Sequence, residues 1–323
     1  MTAGIENSDP PGWLRGLPPG CVCQVPEGAR WGVLLHPPNS QQPQEQAELR
    51  LVLFVSFWIG QATLHAALAY LRRLPGRIRV VGVVTDDPIS PQARISLRKR
   101  AWSLMSEEER LAVKLRLVRT ALEAGIPVYT GEVKTPGFRR VLAAWQPDAI
   151  ITCGFGQVLD RAILDTAPQG AYNCHPTDLA NGHGAGPSPW ADMEARGVTH
   201  TVWSVHRMTE EVDAGPVIGR SAPINLADAA GRLVREPRAF VYKILAPICW
   251  MALCLIDSLV RARPGPLRRL DLDSGMPAAL RRQLLQPIGP DWQDTQVPVP
   301  GDAEFAGLLN RPASRIMEDI AAG

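Results

Sequence analysis

The feature that most constrains this chain is a repeated alternation of short, continuously apolar runs with stretches of helical periodicity. LRLVLFVSFWIG (49–60) is rich in Val, Leu and Phe and closes on Gly60; QATLHAALAYLRRL after it carries the period of an amphipathic helix. RIRVVGVVTDD (77–87) is a second run, ended by an acidic turn and Pro88. SEEERLAVKLRLVRTALEAG follows, with Ser106 as its N-cap and Gly125 as its stop. IPVYTG, AIITCGFG (149–156) and GAYNCHP continue the strand series, separated by the helical GFRRVLAAWQPD and VLDRAILD. Strands apolar along their whole length are buried on both faces, as happens when helices cover both sides of a parallel sheet. The chain is therefore expected to be an α/β protein with a Rossmann-like, doubly wound, mostly parallel sheet.

The flanks read differently. Residues 1–48 are rich in Pro, Gly and Gln and read as an arm or linker with one short strand at ARWGVLLH. Residues 49–262 are expected to form the main domain, and 263–323, broken by PGP, DSGMP, QPIGPDW and VPVPG, a short irregular C-terminal extension. Within the domain, VTHTVWSVHRM (198–208) alternates like a strand, GPVIGRSAPINL is another, and a helix over 239–260 closes the unit. Its apolar stretch ILAPICWMALCLI (244–256) falls short of the roughly 20 residues a membrane-spanning helix needs, so a buried helix is expected. Around Cys249 and Trp250 the same surface also suits burial against a second subunit, leaving room for a homodimer.

Composition removes several classes. A formal charge of +2, from 34 basic and 32 acidic residues, creates no field that would single out nucleic acid or membrane. The cluster of Arg261, Arg263, Arg268, Arg269, Arg281 and Arg282 reads as solvated surface. Six cysteines in 323 residues do not make a disulfide framework, and MTAGIENSDPPGWL lacks the basic and apolar regions of a signal peptide. A cytoplasmic protein is expected.

In doubly wound sheets ligands sit beyond the carboxyl ends of the strands. GFG (154–156) and NCHP (173–176) both lie at such ends, and TEEVDAGPVI adds Glu210, Glu211 and Asp213 in a loop between two apolar strands. Asn173 and His175, spaced i, i+2, point to one face of their strand. His175, His183, His200, His206 and Cys174 offer ligands enough for zinc, but no metal-binding motif frames them. The dinucleotide reading fails because no G-x-G-x-x-G opens the first helix. His200 reads as structural or surface, and His183 and His206 stay open.

QPDAIITCGFGQVL, YNCHPTDL and TVWSVHRMTEEVDAGPVI, in that order, resemble the formyltransferases that use 10-formyltetrahydrofolate, among them glycinamide ribonucleotide and methionyl-tRNA formyltransferases. The likeness covers about two thirds of the chain, from residue 49 to 260. It rests on Asn173, His175 and Pro176, a Gly-Pro loop, then Asp213, Gly215 and Pro216. It implies a catalytic set of Asn173 on the formyl oxygen, His175 for oxyanion stabilisation and acid catalysis, and Asp213 for proton transfer and His orientation. Formyl transfer builds negative charge on an oxygen, and such preorganised donors stabilise it. The folate would lie along Phe155, Gly156, Gln157, Val158 and Leu159 on one side and Glu210, Glu211 and Val212 on the other. The implied acceptor is a small-molecule amine, an amino sugar or a specialised-metabolite intermediate, with no nucleic acid and no membrane involved. Hydrolysis of 10-formyltetrahydrofolate, a related hydroxymethyl-type transfer, and a non-enzymatic folate-binding role are the alternatives.

The departures are informative too. VSFWIGQATL stands where the glycinamide ribonucleotide enzymes have a Gly- and Ser-rich phosphate-binding turn. Thr201-Val202 replaces a Thr-Gly, and the loop 180–189 carries a small insertion. The C-terminal part lacks the even strands of a tRNA-binding barrel.

Overall fold

The computed structural model describes residues 12–28, 32–38, 47–89, 101–186, 189–262, 265–292 and 300–311. Arg263, Pro187, Ser188 and most of VPVPG lie outside them. Five parallel strands make the centre of the sheet: β3 (Leu49–Val55), β4 (Ile78–Thr85), β5 (Val128–Gly131), β6 (Ala149–Cys153) and β7 (Ala171–His175). Antiparallel strands extend both edges, β1 (Val22–Gln24) and β2 (Gly32–His36) beyond β5, β9 (Ser204–Arg207) and β10 (Val217–Arg220) beyond β7. The spatial order is β1-β2-β5-β4-β3-β6-β7-β9-β10. The alternating stretch 198–208 is divided: β8 (His200–Thr201) leaves the large sheet to pair with β11 (Ile224–Asn225), and the chain rejoins it at Ser204.

Helices cover both faces, as continuous apolar strands demand. Leu49, Leu51, Leu53 and Val55 of β3 point into the larger core, while Val52 and Phe54 between them point into the smaller one. The larger core lies against α1 (Phe57–Arg73), α2 (Glu107–Glu123), α6 (Pro237–Leu245) and α7 (Ile248–Arg261), the smaller against α3 (Pro136–Trp145) and α4 (Arg161–Leu164), and a short α5 (Pro189–Ala195) follows β7. Ser106 caps α2 in a complete capping box with Glu109. The long apolar helix of 239–260 is broken into α6 and α7, bent by 44° around Pro247. No single helix among the described residues is long and apolar enough to cross a membrane. Residues 248–260 of α7 are all buried within the chain, so the surface that suggested a homodimer is already covered.

The flanks are more integrated than their composition suggests. Residues read as an arm supply two edge strands, and Trp13 packs over the ammonium of Lys114 at 3.7 Å. The extension returns to the core: Leu272 O accepts from Trp250 Nε1 at 2.7 Å, and Leu270 N donates to Ile218 O at 2.7 Å. Two short helices, α8 (Ala278–Leu285) and α9 (Asp302–Leu309), complete it. The break at DSGMP is a turn between docked segments, which local sequence periodicity does not register, and Pro264 of PGP lies outside the described residues.

Candidate active site

The site forms where β3, β6 and β7 end. Gly154 takes φ +68° there, and a Cβ on it would stand 3.0 Å from Ser56 O and 3.1 Å from the Phe57 ring. A Cβ on Gly156 would meet Asp86 Oδ2 at 2.6 Å. Both glycines of GFG are therefore fixed by close approach of neighbouring chain. Beside them a cavity of about 300 Å³ opens across the strand ends.

On β7, Ala171 points into the smaller core and Tyr172 and Cys174 into the larger, so Asn173 and His175 stand on the smaller-core face. Register places His206 of β9 directly opposite Asn173. Asn173 Nδ2 donates to His206 Nε2 at 3.1 Å and to Asp213 Oδ1 at 3.3 Å. A flipped amide would set its oxygen against the carboxylate, so this orientation is the one the site accepts. His206 Nδ1 donates to Arg207 O at 3.2 Å, and its Nε2 faces both Asn173 and Asp213. His175 Nδ1 and His206 Nε2 each lie 3.6 Å from Asp213 Oδ1, and all three side chains are nearly buried.

Asp213 adopts φ +55°, a left-handed conformation that Asp and Asn tolerate better than most residues. Its Oδ2 accepts from Gly186 N at 2.8 Å. Burial works to raise the Asp213 carboxyl, but His206, the charge on His175 and the Gly186 N–H outweigh it and bring the group down to about 2. The motif around it has a steric cause: a Cβ on Gly215 would fall 1.7 Å from Arg207 O, and Arg207 N donates to Pro216 O at 3.0 Å. The Gly-Pro loop then folds over the site. Gly184 O accepts from His175 Nε2 at 2.8 Å, while Gly184 N donates to Asp192 Oδ2 at 2.7 Å.

Asn173, His175 and Asp213, singled out in the sequence, thus converge, and His206, left open there, is the fourth member. Its signal was the alternation of Ser204, Val205 and His206, which puts His206 on one strand face; its partner becomes visible only with the β7–β9 register. Asn173 spends both amide hydrogens on His206 and Asp213, so in this arrangement it positions those two groups, rather than standing free for a formyl oxygen. Phe155, Gln157, Val158, Leu159, Glu210, Glu211 and Val212 all line the cavity. Gly156 does not; it packs on Asp86. The side chain of Gln157 is tied to the β5 turn, accepting from Val133 N at 3.2 Å and donating to Gly131 O at 2.9 Å. Glu210 accepts from Arg161 N at 3.1 Å at the start of α4. Val158 and Val212 remain 42% and 54% exposed, which leaves their apolar surface free for a ligand.

The Cys174 thiol has no nucleophilic part: its contact with Cys153 Sγ, then its burial, push it well above the usual thiol range. Among the described residues no group of three or more His, Cys, Asp or Glu side chains is arranged to hold a metal ion.

The Formyl transferase family model matches residues 53–245. The chain belongs to this family. It is 31% identical over 197 residues to the methionyl-tRNA formyltransferase of Desulfotalea psychrophila, spanning 60% of this chain and 54% of that one. Against a Synechococcus methionyl-tRNA formyltransferase it is 35% identical over 180 residues, or 55% and 47% of the two chains. The match spans about half the length of these relatives. The fold is also that of a solved glycinamide ribonucleotide transformylase 1 from Symbiobacterium toebii, with a TM-score of 0.50, 19% identity, and 72% of this chain and 98% of that one covered. Asn173, His175 and Asp213 all lie within the matched residues, and His206 joins them in the same cluster.

Proposed function

We propose that this chain transfers a formyl group from 10-formyltetrahydrofolate to the primary amine of a small-molecule acceptor. The observation that carries this reading is the buried cluster in which Asp213 faces both His175 and His206 while Asn173 holds it in place. Membership of the formyl transferase family supports the formyl donor. The cavity suits it as well, because exposed Val158 and Val212 with buried Leu159 offer flat apolar surface beside backbone donors and acceptors.

The donor supplies a formyl carbon. The amine lone pair forms the new C–N bond, the bond from that carbon to the folate nitrogen breaks with its electron pair staying on that nitrogen, and the proton shed by the amine ends there. Nothing is oxidised or reduced. His175 contributes the N–H that meets the formyl oxygen as charge builds on it; Gly184 O now occupies that acceptor position and stands in for a carbonyl oxygen of the substrate. Asp213, ionised at neutral pH, balances a proton on His175 and relays the amine proton. Asn173 and His206 keep the carboxylate turned toward His175. Incubation with 10-formyltetrahydrofolate and an amine panel tests the reading: an N-formyl product, heavier by one CO, supports it. Equal formate release with and without amine would establish hydrolysis instead.

A further inference from the structure

The cavity has two ends that belong to opposite faces of the sheet. Phe155 and Leu159 at one end are part of the smaller core, on the same face as Asn173 and His175. The other end is walled by Phe57, Leu104, Trp190, Phe240, Val241 and Ile244, which belong to or pack against the larger core and the Phe57 cluster. The first end takes the folate in the reading above, so the second receives the acceptor.

We propose that the acceptor is a primary amine bearing an aromatic or similarly bulky apolar group and no phosphate. This rests on the formyl-transfer reading and specifies the substrate class of the same site.

Three independent observations carry it. The acceptor end is built of rings: Trp190 and Phe240 have centroids 5.4 Å apart, and Phe57 lies 4.2 Å from Trp102. Phe57 holds φ +62°, a costly conformation for an aromatic residue, at the turn from β3 into α1. A glycine would relieve that strain, so the ring is kept there at the expense of backbone comfort. Second, no Lys or Arg lines the cavity among the described residues, whereas Glu210, Glu211 and Asp213 do. Among the described residues a phosphate ester would face these carboxylates and no Lys or Arg. Third, the start of α1 turns apolar side chains rather than its capping hydroxyl toward the cavity. Ser56 Oγ is turned inward to Thr85 Oγ1 at 3.3 Å and Asp86 N at 3.0 Å, and Phe57 and Ile59 face the cavity.

The test uses the full chain with saturating 10-formyltetrahydrofolate and measures N-formyl product by mass spectrometry. 2-Phenylethylamine, tryptamine and phenylalaninamide are compared with ethylamine, glucosamine 6-phosphate and methionyl-tRNA. The aryl amines are expected to exceed ethylamine in kcat/KM by at least about tenfold, with the phosphate ester and the tRNA at background. Phe57→Gly, which fits the observed φ, and Trp190→Ala are each expected to bring the aryl-to-ethylamine ratio toward one. Affinity for 5-formyltetrahydrofolate, read by calorimetry, should stay at the wild-type value in both. Preference for glucosamine 6-phosphate or methionyl-tRNA, or an unchanged ratio in both variants, would overturn the substrate class while leaving formyl transfer intact. Formylation of no amine, or no folate binding, would overturn both.

Discussion

Nε2 of His175 donates to the carbonyl oxygen of Gly184 at 2.8 Å, so the imidazole N–H best placed for an oxyanion is already engaged by a backbone carbonyl of the Gly-Pro loop. Substrate must displace that carbonyl and take over the same donor. Because the donor stabilises charge that develops only during reaction, His175→Ala is expected to lower kcat by about 10²–10³ with little change in the KM for the folate. Single-turnover formyl transfer with each substrate varied checks the split. A loss confined to KM would show that His175 only binds.

Asp213→Asn isolates charge from shape. Asn accepts φ +55° and its carbonyl can still receive the Gly186 N–H, so the loop geometry is retained. At neutral pH kcat should fall by at least about 10², the lower range for general acid–base catalysis, with folding preserved by circular dichroism. The stability sign follows from the depressed carboxyl. Its folded value of about 2 lies below the roughly 3.9 of an unfolded Asp, so the ionised form stabilises the fold above about pH 4. That contribution is lost as pH falls through 2. The Tm difference between wild type and Asp213→Asn should hold constant above pH 4 and narrow below it; a difference that widens toward acid would refute the assignment.

Much of this was legible in the sequence because it is local. The apolar runs 77–87 and 149–156 each contain a central strand, 49–60 divides into β3 and the first turn of α1, and Ser106 with Glu109 became a capping box. Asn173, His175 and Asp213 could be singled out because strand alternation and the Asp-x-Gly-Pro turn are short-range patterns. His206 needed the antiparallel register of β9 against β7, which no local period encodes. The acceptor wall draws on Phe57, Trp190 and Phe240, far apart in the chain and individually indistinguishable from core residues. The N-terminal segment was read as an arm because Trp13 and the edge strands find their partners only in α2 and β5.

That N-terminal contact leads to a stability prediction. Lys114 Nζ sits 2.8 Å from Asp87 Oδ1 with its side chain fully buried and Trp13 over it. Burial lowers the Lys114 ammonium to about 8, against the pull of Asp87 in the other direction. Lys114→Met takes away the Lys114 end of this buried ion pair and is expected to cost about 3–5 kcal/mol in chemical denaturation. The double variant Lys114→Met/Asp87→Asn should recover most of it. With the folded value depressed, the wild type should also gain stability as pH rises from about 8 toward the unfolded lysine value near 10.4. The Lys114→Met variant should lack that rise.

Gly215 supplies the sharpest steric prediction. The segment that carries Asp213 turns back so tightly that any Cβ at 215 would sit 1.7 Å from Arg207 O, and backbone on both sides is fixed by the Arg207–Pro216 hydrogen bond. No rotamer of a neighbouring side chain can relieve a clash with a carbonyl. Gly215→Ala must therefore shift the 213–216 turn as a unit, pulling Asp213 away from His175 and His206. Local rearrangement predicts loss of formyl transfer with a smaller loss of global stability, on the order of 2–3 kcal/mol. Because the turn meets the central sheet only through side chains at the end of β7 and the neighbouring β9, folding should persist while activity disappears. If Gly215→Ala keeps wild-type kcat, the geometry given for the turn is wrong.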